Sequence, residues 1–241
     1  GDPLYIKKAG YTTLLGVHGG VEGVDQTTQA KLELNMIMDA AKLGVADTYL
    51  YDLIDYASDP LGKTAADHYG LFTTSNTPKT VATAIHNLTT ILSDTGAAAA
   101  TFTPTPLGYA ISGLPSTGSS YLLEKSSGVY DLVIWAEPSV WSAATHMAAS
   151  AAAQSVVTVS LASSFAQASV YDPLLSSNAI ATGTNINTIK VGVTDHPMII
   201  QLSQFVQSIA SFKAPGDTAV LTNAGSTPQS LAQAVTLSKA G

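Results

Sequence analysis

The run Thr48-Tyr-Leu-Tyr-Asp-Leu-Ile-Asp-Tyr56 continues through Asp59-Pro60 and Asp67-His-Tyr-Gly-Leu-Phe72 to Thr77-Pro-Lys-Thr80, and it decides how the rest of the chain is read. Its first part, Thr48 to Leu53, is aromatic and apolar, a composition that suits a pleated strand. The strand delivers two carboxylates, Asp52 and Asp55, into a polar loop. Thr77 is then placed to cap a helix with Pro78 at its first position. Val81, Ile85, Leu88 and Ile91 or Leu92 follow at helical spacing. Strand, acidic loop and helix make one βα unit.

The residues before this run repeat the plan. Leu4-Tyr-Ile6 is a short β-rich stretch, and Gly16 to Gly23 is glycine-rich, with His18 and Glu22, and reads as a flexible loop. Asp25 or Thr27/Thr28 can cap a helix over about Gln29 to Leu43. Leu34, Ile37, Met38 and Ala41 form its apolar stripe, Lys31, Asp39 and Lys42 its wet side, and Gly44 stops it. Residues 1–95 therefore read β-α-β-α.

Residues 96–106, rich in Ala, Thr and Pro, are a linker. Beyond them the hydrophobic period changes to two. Leu107–Ser112, Tyr121–Lys125, Val129–Trp135, Ser155–Leu161, Ala166–Tyr171, Ile186–Val193 and Met198–Leu202 read as short strands of an antiparallel β-sandwich over 107–203. Periodicity leaves Ala143–Ala153 open between helical turn and loop. Residues 204–241 alternate weakly and read as a C-terminal extension, with strands available for assembly. The fold class expected is α+β.

Composition narrows the function classes. Net charge is -7 and every one of the ten basic side chains is Lys, so no arginine fork and no basic stripe is available for nucleic acid. There is no Cys, hence no disulfide framework and no thiolate metal site. No apolar run is long enough to span a bilayer. The first residues do not form a signal peptide but start directly on a strand, as expected of a chain cut from, or matured out of, something longer. Low charge with abundant Ala, Ser, Thr and Gly suits a secreted or cell-surface protein.

The order of these motifs resembles the last two βα units of the (β/α)8 barrel of secreted glycoside hydrolases, grouped near families 5 and 39, with their appended β-sandwich. Asp67-His-Tyr-Gly-Leu-Phe72 with Pro78-Lys79, Tyr130-Asp-Leu-Val-Ile-Trp-Ala-Glu-Pro138, Val170-Tyr-Asp-Pro-Leu174 and Thr194-Asp-His-Pro-Met-Ile-Ile200 carry the likeness over about residues 3–202. The resemblance implies a secreted polysaccharide-directed protein with its site at the strands' C-terminal ends. It also places Lys8, in Tyr5-Ile-Lys-Lys-Ala-Gly-Tyr-Thr-Thr13, where the family has its nucleophilic Glu. Retaining glycosidases need two carboxyl groups about 5 Å apart, and an ammonium supplies neither role. A pseudoenzyme is expected, with no cofactor and no metal.

The resemblance makes Tyr51, Asp52 and Asp55 substrate-facing candidates, and Tyr11, His18 and Trp135 join them as possible sugar contacts. Asp52 and Asp55 fit either a sugar or acid/base pair, or structural hydrogen bonds and a Lys–Asp ion pair. His68 beside Asp67 fits a site or packing beneath the loop. Trp135 and Trp141 fit sugar stacking or core packing, as in a carbohydrate-binding module. Asp195-His196 fits an Asx turn, Glu137 a chance echo of an acid/base motif, and Asn87-Leu-Thr89 a glycosylation pattern on a helix. Two βα units cannot close a barrel, so their parallel strands are left with bare edges. The expected partners are copies of this chain, or a barrel segment carried elsewhere.

Overall fold

A computed structural model describes residues 3–56, 59–149 and 153–204. In chain order the elements are β1 (Tyr5–Ala9), β2 (Gly16–His18), β3 (Val21–Gly23), α1 (Gln26–Lys42), β4 (Asp47–Leu50), a 3-10 turn (Ala65–His68) and α2 (Thr80–Leu92). There follow β5 (Tyr109–Ser112), β6 (Gly118–Glu124), β7 (Tyr130–Ala136), β8 (Trp141–Ser142), β9 (Met147–Ala148), β10 (Ser155–Tyr171), β11 (Ala179–Val193) and β12 (Met198–Ser203). The fold is mixed α+β, with two α-helices among the described residues and a strand-rich, curled antiparallel sheet.

β1 and β4 pair in parallel, Tyr5 beside Asp47 and Ile6 beside Thr48. Asp25 caps α1, its Oδ1 accepting from the Thr28 backbone N–H at 2.8 Å. α2 starts two residues later than its sequence suggests. Its N-cap residue is Lys79, while Thr77 is spent in a turn, its carbonyl accepting from the Thr73 N–H. The glycine-rich stretch read as a flexible loop is instead the β2–β3 hairpin, turned by Gly19 and Gly20, both in the left-handed region.

The antiparallel sheet runs β11-β10-β12-β7-β6, with β5 also on β10. β10 is one strand where the sequence suggests two. Its exposed Ala162-Ser-Ser164 interrupts the apolar alternation and coincides with a register shift between Ser160 and Phe165, so the sheet bends there without the strand ending. β11 also begins earlier than expected, because its exposed first half, with Asn185 at φ 53°, carries no buried alternation. Ala143–Ala153 begins with the turn of the β8–β9 hairpin and carries β9, with residues 150–152 outside the described ones. The extension's residues 205–241 also lie outside them.

The curl encloses one apolar cluster: Leu132, Ile134, Val157, Val159, Phe165, Ile200 and Leu202 meet inside it. The alternate residues of the same central strands, Val133, Trp135 and Ile199, face the other way. They are covered by Leu34 and Met38 of α1 and by Val81, Ala84 and Leu88 of α2. All seven residues of β7 are therefore buried. In β1 and β4 no residue is. The apolar faces of the two helices are spent on the antiparallel sheet.

Candidate functional site

The C-terminal ends of β1 and β4 border an open cleft of about 390 Å3, lined by Lys8, Ala9, Gly10, Val21, Tyr51, Ala65, Ala66 and Tyr69. Lys8 Nζ stands 3.7 Å above the centre of the Tyr51 ring, a cation–π contact. Tyr51 in turn leans on Tyr69, ring centres 5.4 Å apart. The peptide between Tyr51 and Asp52 is cis. Gly10 lets the two strand ends close up, since a Cβ there would collide with the Tyr51 carbonyl. None of the lining residues is a carboxylate, and Lys8 is the one charged group among them.

Asp52 and Asp55 are not among the residues that line the cleft. Asp52 Oδ1 accepts from the Leu53 backbone N–H at 2.6 Å. Asp55 is buried, and its Oδ1 accepts from Lys79 Nζ at 2.7 Å and from the Gly70 N–H at 2.9 Å. The Lys–Asp ion pair is thus present, but its lysine is Lys79 from the start of α2. Lys79 Nζ also donates to Thr13 Oγ1 at 2.9 Å and to the His68 carbonyl at 3.3 Å. That knot ties the loop after β1, the loop after β4 and α2 together.

Tyr11 follows the cleft floor. Its N–H donates to Glu33 Oε1 at 3.4 Å and its carbonyl accepts from Gln29 Nε2 at 2.8 Å. Burial, then the carboxyls of Glu33, Glu137 and Asp39, push its phenol pKa up. His18 stays within its hairpin, Nε2 donating to the Leu15 carbonyl at 3.0 Å. Trp135 does not face a ligand site. It is wholly buried between sheet and helices, and its indole N–H donates to Asp39 Oδ1 at 3.1 Å. A strand of period two shows which residues share a face, not whether the outward face is covered, and here two helices cover it.

Trp141 is half-exposed, its indole N–H held by Glu22 Oε1 at 2.8 Å, with His146 Nδ1 2.9 Å from the same oxygen. Hydrogen bonds from His146 and Trp141 lower the pKa of Glu22. His68 Nε2 lies 3.4 Å from Asp59 Oδ2. Asp59 Oδ2 also accepts the backbone N–H groups of Lys63 and Thr64, so the pair braces its loop. Asn87 is buried and donates to the Pro173 carbonyl at 3.0 Å, so its amide is engaged in packing.

A second polar cluster joins α1 to the antiparallel sheet. His196 Nε2 is 3.1 Å from Asp172 Oδ1, its Nδ1 2.9 Å from Asp195 Oδ1, and Lys31 Nζ donates to Asp195 Oδ2 at 2.8 Å. Burial opposes charge on His196, but its bonds to Asp172 and Asp195 outweigh it and raise the pKa to about 9. Burial likewise acts against the Asp195 carboxylate, yet His196 and Lys31 bring it down to about 2. Both imidazole nitrogens are committed, so the cluster is a brace. Among the described residues no group of His, Asp or Glu is placed to hold a metal, and no helix is long and apolar enough to cross a membrane.

No protein-family model and no curated protein matches the chain.

Sequence reasoning missed Glu33, Lys79 and the Asp172–His196–Asp195–Lys31 brace. Glu33 left a signal: with Gln29 it sits one turn apart beside the apolar Ala30, Leu34 and Met38. Lys79, Asp172 and Asp195-His196 stood in quoted motifs, but their pairing left no signal, because the partners are brought together only by the fold.

Proposed function

We propose that this chain is a glycoside-hydrolase-derived extracellular subunit that has exchanged sugar cleavage for a structural role. Its β-α-β-α part corresponds to the last units of a (β/α) barrel, and its curled sheet to the appended sandwich. The observation that carries this reading is the cleft's chemistry. Lys8, which the resemblance puts at the position of the attacking carboxylate, lines the cleft, no carboxylate lines it, and Asp55 is sealed in an ion pair with Lys79. Hydrolysis with retention requires two carboxyl groups on the scissile bond, and this site offers none.

The bare parallel pair supports the structural role. Leu4, Tyr5, Tyr49, Leu53, Ile54 and Tyr56 are all exposed around β1 and β4, whereas parallel strands are found covered on both faces. Further βα strands, from copies of this chain or from a barrel segment carried elsewhere, would cover them by strand addition. Low charge with abundant Ala, Ser, Thr and Gly fits an extracellular setting. The chain is to be incubated with a panel of β-glucans and acidic exopolysaccharides and assayed for reducing ends. No release is expected; release abolished by Lys8→Met would overturn the proposal.

The cleft also favours a second reading, in which the chain is the C-terminal portion of an active enzyme. The Tyr51–Tyr69 pair and the close Gly10–Tyr51 approach keep a formed wall at the strand ends. In that case Lys8→Glu, with a barrel segment supplied, restores reducing-end release.

A further inference from the structure

We infer that Glu33 is kept as a neutral carboxylic acid whose proton is donated to Gln29 Oε1, closing a clasp between α1 and the cleft floor that opens when the proton leaves.

The inference rests on donor and acceptor bookkeeping. Glu33 and Gln29 are both wholly buried, one helical turn apart on α1. Residues spaced four apart lie on the same face of a helix. Glu33 Oε1 accepts the Tyr11 N–H at 3.4 Å. Gln29 Nε2 donates to the Tyr11 carbonyl at 2.8 Å and to the Tyr69 carbonyl at 3.4 Å. The two remaining oxygens, Glu33 Oε2 and Gln29 Oε1, are buried and have no hydrogen-bond donor. Two buried acceptors without a donor, on side chains one helical turn apart, are costly. One proton on Glu33 Oε2 removes both deficits at once.

No cation competes for that role. Lys79 is the basic residue whose charge reaches Glu33, and its three N–H groups are already directed to Asp55, Thr13 and the His68 carbonyl. The other titratable groups around the site are the Tyr11 phenol, from the loop after β1, the Asp39 and Glu137 carboxyls that act on it together with Glu33, and Asp55, held by Lys79. A carboxylate at Glu33 would thus be a buried charge with one long hydrogen bond from Tyr11, which is unfavourable. In agreement, burial raises the Glu33 pKa to about 8, against smaller opposing effects of the Tyr11 N–H and Lys79.

The consequence reaches the cleft. Gln29 holds the carbonyls of Tyr11 and Tyr69, and Tyr69 and Gly10, next to Tyr11, line the cleft. A Cβ on Gly10 would lie 3.6 Å from Glu33 Oε1, so the carboxyl is immediately behind the floor. Deprotonation leaves Gln29 Oε1 without a donor and loosens the floor. The contribution of this group to stability is thereby complete below its unfolded value of 4.5. Because its pKa rises on folding, stability is lost as pH climbs from the unfolded value of 4.5 to about 8, and the loss is complete above that.

The test is a pH titration of the full chain labelled with 13C at the glutamate side-chain carboxyls. There are four glutamates, Glu22, Glu33, Glu124 and Glu137. Glu137 also has a raised pKa, so Glu137→Gln serves as background. One carboxyl is expected to remain protonated at neutral pH and to titrate near 8, and Glu33→Gln removes that signal. Exchange of the Gln29 side-chain amide, which holds the Tyr11 and Tyr69 carbonyls, corrected for its intrinsic pH dependence, should accelerate by about tenfold or more on raising the pH through this range. It should stay constant in Glu33→Gln, whose amide can still donate to Gln29. A chain in which every glutamate is ionised at neutral pH overturns the inference, and that readout holds even where Glu33→Gln does not fold. Equal exchange profiles for wild type and Glu33→Gln overturn the clasp.

Discussion

β7 and the β1–β4 pair are both central strand segments by their sequence, yet they live in opposite surroundings. Tyr130–Ala136 has every residue buried, its even positions in the curl and its odd positions under two helices. Tyr5–Ala9 and Asp47–Leu50 have none. Helices α1 and α2, which in a closed α/β layer would cover their own strands, direct their apolar faces onto the antiparallel sheet. A strand's own residues therefore set what it could bury, while its neighbours decide what it does bury. The antiparallel half is covered on both faces at β7; in the parallel half no strand residue is buried.

The largest effect should come from the covered side. Trp135→Ala removes a side chain wholly enclosed between sheet and helices and strands the Asp39 carboxylate. A loss of about 3–5 kcal/mol is expected from the denaturant midpoint. A loss below about 1 kcal/mol would mean that β7 is not covered on both faces.

Lys79→Met tests the knot between the two halves. It leaves the Asp55 carboxylate buried and unpaired, which should cost about 3–4 kcal/mol. Asp55→Asn together with Lys79→Met should recover part of that loss, because the uncompensated charge is gone. A double variant no better than the single would contradict a direct pair.

Next is the brace at His196. Its pKa is raised on folding, so its contribution is complete below the unfolded value of 6.5 and is lost as pH rises through about 9. Asp195 behaves in the opposite sense: its contribution stands above 3.8 and is lost as pH falls through about 2. His196→Gln should cost about 2–3 kcal/mol near neutral pH and flatten the alkaline limb of the stability profile. An unchanged alkaline limb would remove His196 from the joint.

Much of the frame was legible beforehand. Leu34 and Met38 of α1, and Val81, Leu88 and Ile91 of α2, sit where helical spacing put them, and all are buried. The strands of the curled sheet were found too, with β10 divided at Ala162-Ser-Ser164 because a bend and a chain break look alike in a hydrophobic pattern. Contacts between distant residues were not legible. Glu22 is held by Trp141 across 119 positions, and Lys31 meets Asp195 across 164. Asp52 and Asp55 stood out by composition, but which of them would be sealed away depended on Lys79, arriving from the next helix. Of the residues singled out in the sequence, Lys8 and Tyr51 are the ones that line the cleft together.

The smallest effect on stability, and the most informative about assembly, is expected at the parallel pair. Tyr49→Ser and Leu53→Ser alter exposed residues and should change the stability of the isolated chain by no more than about 0.5 kcal/mol. The same changes should weaken any association through β4. Stability losses of several kcal/mol would mean that these side chains are covered by this chain itself.

The measurement that bears most directly on the parallel pair is the mass of the folded 241-residue chain by sedimentation equilibrium. Self-association to a multiple of 24.7 kDa is expected, broken by the β4 substitutions. A stably folded 24.7 kDa monomer, with β1 and β4 amides protected from exchange, would contradict it.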